Sequence, residues 1–88
     1  MCLDPSRRWD IVPAALPWAE ARRKLSAWPV RRNYALDEWA EALPIAPEAP
    51  VTVRVEVSCR GWGLDHRTTK RWVVTLAGGT EFVLEQVS

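Results

Sequence analysis

The residue types that could do chemistry in this chain gather around one loop. Arg60, Trp62, His66, Arg67 and Lys70 lie in or beside Arg60-Gly61-Trp62-Gly63-Leu64-Asp65-His66-Arg67. Basic side chains track phosphates, and flat rings stack on unpaired bases. Tryptophan and arginine are also enriched where proteins grip one another. These five residues are therefore the candidate binding set, for a protein or a nucleic acid. The competing structural reading is that Trp62 folds back over the end of a small core while its glycines let the loop bend. Arg22, Arg23 and Lys24 form a secondary basic surface, and Arg7, Arg8 and Trp9 a smaller cluster near the terminus.

Catalysis has thinner support. His66 is the only histidine, and neighbouring Asp65 seldom shares a site with an adjacent residue. Cys59 could approach His66 as a thiol beside a base, but a strand-end cysteine more often serves as a small apolar group. One histidine and two remote cysteines match no metal-ligand spacing. Gly61-Trp62-Gly63 has neither phosphate-loop spacing and precedes a strand rather than a helix. The expectation is no enzyme, no catalytic residue, no metal and no cofactor.

Composition narrows the classes further. Eighty-eight residues with a net charge of +1 suggest one small domain without a strong long-range field. Charge is nonetheless blocked along the chain, with residues 1–32 and 51–71 basic and 33–50 and 72–88 acidic. Such blocks pair with each other in a fold, or leave one basic surface. Cys2 and Cys59 outline no disulfide framework, so reduced thiols are expected. No signal peptide is visible, and no apolar run approaches the ~20 residues that cross a bilayer. A cytoplasmic, membrane-free protein is expected.

These candidate groups need elements to hold them. Residues 1–16, punctuated by Pro5 and Pro13, read as an irregular arm. Trp18, Ala21, Leu25 and Trp28 recur at helical spacing after Pro17, and Pro29 stops that helix. Asn33 caps a second helix whose apolar stripe is Leu36, Trp39, Ala40 and Leu43. These two make up a helical part over 17–43. The proline-rich stretch 44–50 reads as a stiff extended connector.

Residues 51–88 read as a sheet. Val51, Val53, Val55, Val57 and Cys59 alternate with polar residues in one strand. Strands near 68–76 and 80–87 are joined through Ala77-Gly78-Gly79. A three-residue loop with Gly79 left-handed sets Trp72 opposite Leu84, Val74 opposite Phe82 and Arg71 opposite Glu85, which keeps the apolar set on one face. The predicted fold is α+β, two N-terminal helices packed in two layers on a C-terminal three-stranded antiparallel sheet, ααβββ.

This order hosts many functions. The leading expectation is a non-enzymatic protein-interaction module: an adaptor, a complex subunit, or an inhibitor of a larger machine, of the kind that phages and mobile elements encode. A nucleic-acid-binding accessory protein, using the tryptophan–arginine loop and the basic helix, is the first alternative. A homo-oligomer assembled through open sheet edges is the second. Four of the six tryptophans, Trp18, Trp28, Trp39 and Trp72, are expected in the core.

Overall fold

A valine-rich strand with one wet face must find neighbours on both edges and a cover for its dry face. The computed structural model, which describes residues 6–28, 33–60 and 67–87, shows both solutions. The order is β1 (Ser6–Pro17), α1 (Trp18–Ala27), α2 (Tyr34–Ala42), β2 (Pro50–Arg60), β3 (Arg67–Leu76) and β4 (Glu81–Val87). The strands form one four-stranded antiparallel sheet in the order β1-β2-β3-β4. The expected three-stranded ααβββ arrangement is thus corrected to βααβββ: the stretch read as an irregular arm supplies a fourth strand, ahead of both helices.

The reason β1 escapes a period-two reading lies in its own ladder. Pairing runs regularly from Ser6↔Ser58 to Asp10↔Arg54, then shifts before Val12↔Val53 and again before Leu16↔Val51. Extra residues at each shift place consecutive Ile11 and Val12 against the core, an outcome simple alternation forbids. Pro13 and Pro17 are tolerated because β1 lies at the sheet's edge, where a missing N–H forfeits little.

Register in the C-terminal hairpin follows the expected three-residue loop. Trp72 pairs with Leu84, Val74 with Phe82, Arg71 with Glu85 and Val73 with Val83. Gly79 has φ +93°, the left-handed conformation that closes the turn, with its N–H bonded to the Leu76 carbonyl at 2.9 Å.

The core lies between the helices and one sheet face. Val12, Val51, Val53, Val55, Trp72 and Val74 meet Trp18, Ala21, Leu25, Leu36 and Ala40 there. Trp39 is half-buried against this cluster. Trp28 is 45% exposed, contrary to the expected core position. It caps the C-terminus of α1, and the buried stripe Trp18-Ala21-Leu25 ends one turn before it.

Two polar devices fix the helices. Pro17, the N-cap residue of α1, makes no side-chain cap, and the connector supplies carbonyls instead: Trp18 N–H donates to Ala49 O and Ala19 N–H to Pro47 O, both at 2.9 Å. The connector is therefore a turn closed by Ala49 N–H on Ala46 O, rather than the extended rod its prolines suggest. At α2, Asn33 accepts the Leu36 N–H through Oδ1 at 3.1 Å, the expected cap. The same Asn33 amide exchanges hydrogen bonds with Gln86 of β4, at 2.9 and 3.2 Å, and Gln86 Oε1 also accepts the buried Trp72 indole N–H at 2.9 Å.

Asn33→Ala removes a cap and leaves the Gln86 amide short of partners. It should lower unfolding free energy by about 1–3 kcal/mol, read by urea denaturation. A change within error would show that the amide pair does not hold α2 to the sheet.

Candidate cationic end of the sheet

The two sheet faces differ in what they carry. The face away from the helices bears Arg54, Glu56, Arg71, Glu81 and Glu85, joined by Arg8 and Asp10 from β1. Its charges largely satisfy one another. Arg54 donates to Glu56 at 2.9 Å and to Glu81 at 3.2 Å, Arg71 lies 4.0 Å from Glu85, and Arg8 lies 3.4 Å from Asp10. The hydrogen bond from Arg54 holds the Glu56 carboxyl below its ordinary range and, reciprocally, raises the Arg54 value. Val73 is buried within this charged layer, between Arg54 and Val83 in register. A pocket of about 180 Å³ opens where β1 bulges, lined by Arg8, Asp10, Val12, Pro13, Thr52, Val53 and Arg54. Its charged groups balance locally, so it presents no surplus to a ligand.

Basic residues gather at the end of the sheet away from the Gly79 turn. Four successive rows cross it: Arg7–Val57–Lys70–Gln86, Ser6–Ser58–Thr69–Val87, Cys59–Thr68 and Arg60–Arg67. They contain Arg7, Arg60, Arg67 and Lys70 and no carboxylate. Arg60 and Arg67 occupy opposing positions in the register.

Register also brings an aromatic ring here. Trp9 is two residues from Arg7 on the helix-side face, 38% exposed, in line with Val55 and Trp72. Arg7 and Lys70 share that face and are exposed. Arg67 is exposed as well, but strand alternation turns it to the opposite face from Lys70. Of the loop residues singled out from sequence, Trp62 and His66 lie outside the described residues, and Arg60 is placed by its backbone alone. The Arg7-Arg8-Trp9 cluster, remote in sequence, joins the Arg60–Lys70 set only because β1 pairs with β2.

The secondary basic surface keeps to itself. Arg23 and Lys24 are exposed on α1, and Arg22 reaches Glu41 of α2 at 4.0 Å. Arg22 and Arg23 rim a shallow groove of about 600 Å³ floored by Ala19, Ser26 and Ala27.

Cys59 departs from expectation: it is disulfide-bonded, where reduced thiols were anticipated. Sequence spacing cannot show the pairing, since the only other cysteine, Cys2, is separated from it by most of the chain. Among the described residues, no group of three or more His, Cys, Asp or Glu could hold a metal ion. No helix among them is long and apolar enough to cross a membrane.

Glu56 gives a pH test. Its folded-state value lies below the ordinary 4.5, so the Arg54–Glu56 pair contributes fully above that pH and is lost as pH falls through the depressed folded value. An NMR titration of the Glu56 carboxyl should show a midpoint under 4.5 that rises in Arg54→Met; an unshifted midpoint in the native chain would refute the pairing. No known protein family, curated protein or solved structure matches the chain.

Proposed function

We propose that the chain is a small non-enzymatic binding module whose cationic, tryptophan-bearing sheet end takes single-stranded nucleic acid. The observation that carries this reading is the run of four rows holding four cations and no carboxylate, with Trp9 on the same face as Arg7 and Lys70. Elsewhere in the sheet arginines are paired with carboxylates of the same face, so the gathering of basic residues in these rows is a property of this end. Phosphates would be met by Arg7 and Lys70 on the Trp9 face and by Arg67 beside it, and an exposed indole offers a stacking ring to a base. A cytoplasmic setting goes with this reading.

A protein partner remains the second reading, and its supporting observation is elsewhere. β4 is an edge strand of seven residues without proline or bulge, exposing Val83 and Val87. Such an edge accepts another strand. Sedimentation at several concentrations reads the self-pairing form of it. A mass that rises with concentration supports a second copy on β4, and a constant monomer mass rejects it.

For the nucleic-acid reading, intrinsic tryptophan fluorescence is followed during titration with a short single-stranded oligonucleotide at several salt concentrations. Three phosphate contacts predict a slope of about −2 in log K against log salt. Lys70→Ala should flatten it by about 0.7, and Trp9→Ala should cost about 1–3 kcal/mol of binding. No binding at low salt would remove the proposal.

A further inference from the structure

We propose that the outer edge of β4 pairs with the same edge of a second copy, antiparallel and centred on Leu84, so that two four-stranded sheets become one continuous sheet. The proposal rests on the edge-strand reading above and names its occupant and its register.

The two edges of the sheet are finished differently. β1 carries Pro13, Pro17 and two register shifts, features that discourage a further strand. β4 has no proline, no bulge and no basic residue. Its two carboxylates are drawn back over their own sheet. Glu81 accepts from Arg54 at 3.2 Å and from Thr75 at 3.3 Å, and Glu85 lies 4.0 Å from Arg71. Among the described residues, no strand pairs with the outer side of β4. The apolar face also runs out there. Trp72 and Val74 of β3 are 3% and 0% exposed, whereas Leu84 and Phe82 opposite them are only half-buried. Val83 and Val87 are exposed on the other face.

Backbone parity fixes which groups this edge offers. Leu76 N–H donates to Thr80 O at 2.8 Å, so those two residues form a hydrogen-bonded pair. Every second pair along the ladder is then of the same kind: Val74–Phe82, Trp72–Leu84 and Lys70–Gln86. Glu81, Val83, Glu85 and Val87 therefore turn their N–H and C=O groups outward. Residues opposed in an antiparallel pair share a face, so a symmetric β4 pair must be centred on a residue rather than between two. Centring on Val83 sets Glu81 against Glu85 of the second copy, and centring on Glu85 sets that residue against itself. Both choices oppose like charges and shorten the overlap. Centring on Leu84 pairs all seven residues of the strand. Glu81 then meets Val87 of the second copy, and Val83 meets Glu85 of the second copy, each pair exchanging both backbone bonds. Leu84 faces its own counterpart across the closer, non-hydrogen-bonded position, with Phe82 on the diagonal, which carries the apolar face across the junction.

The test is sedimentation of the full chain and of Glu85→Pro over a range of concentrations, with a mixture of isotope-labelled and unlabelled native chains followed by NMR. The Glu85 N–H points away from β3, so proline there removes an outward donor and leaves the β3–β4 ladder whole. The native mass should double as concentration rises. Glu85→Pro should weaken association at least tenfold, with the Val53 and Val74 amides still protected from exchange. In the mixed sample, the Phe82 Hα of one copy should lie in contact with the Gln86 Hα of the other. A monomer mass at every concentration overturns the proposal and leaves the edge open to a strand of another protein. A dimer that a folded Glu85→Pro leaves intact uses some other surface, and removes the edge-strand reading as well. A dimer in which Phe82 Hα instead contacts Leu84 Hα of the other copy keeps the edge and overturns the register. That contact is read in the native chain, so it decides the register even where the proline variant fails to fold.

Discussion

The apolar face of the sheet is the constraint on which the rest of this structure depends. Val51, Val53 and Val55 of β2 align with Trp72 and Val74 of β3, and all five are nearly inaccessible. At about 25 cal/mol per Å² of apolar area, covering such a face dominates what a chain this small can gain on folding. The cover is α1 and α2, set by Trp18, Ala21 and Leu25 on the first and Leu36 and Ala40 on the second. β1 widens the face and brings Val12 under the same cover. A one-residue slip in any pairing would turn these side chains to water, so register, helix placement and core composition are one requirement.

Apolar burial alone does not choose where a short helix sits. The Asn33–Gln86–Trp72 network does that for α2, because each amide and the indole have direction as well as energy. Every group in it is satisfied locally: the cap of a helix, the end of an edge strand and a core indole share two amides. The α1 terminus is handled differently, by carbonyls of the connector that leads into β2. Each helix is thereby tied to a neighbour distant in sequence.

Charge follows a similar division. Over most of the open face, arginine and glutamate alternate across strands and neutralise one another, which accounts for the alternating charge blocks of the chain. Among the described residues, the rows beyond Glu56 and Arg71 hold no carboxylate, and this is where the proposed ligand would sit. The functional reading therefore concerns a local departure from a balanced surface, in a protein whose net charge is only +1.

The sequence by itself determined the elements with a clean period: α1, the Asn33 cap of α2, β2, and the β3–β4 hairpin to the residue, because side-chain alternation and a glycine-dependent turn are local rules. It also marked Arg60, Arg67 and Lys70 as cations near one another. Only the tertiary structure decided that Ser6–Pro17 is a strand, since two register shifts and two prolines erase its alternation and only the β2 edge reveals the pairing. The same pairing decided that Arg7 and Trp9 join Lys70, and the extent of the covered face left Trp28 exposed. These are facts of non-local contact. A one-dimensional pattern records which face a residue favours, whereas the neighbour that occupies that face is set by the rest of the fold.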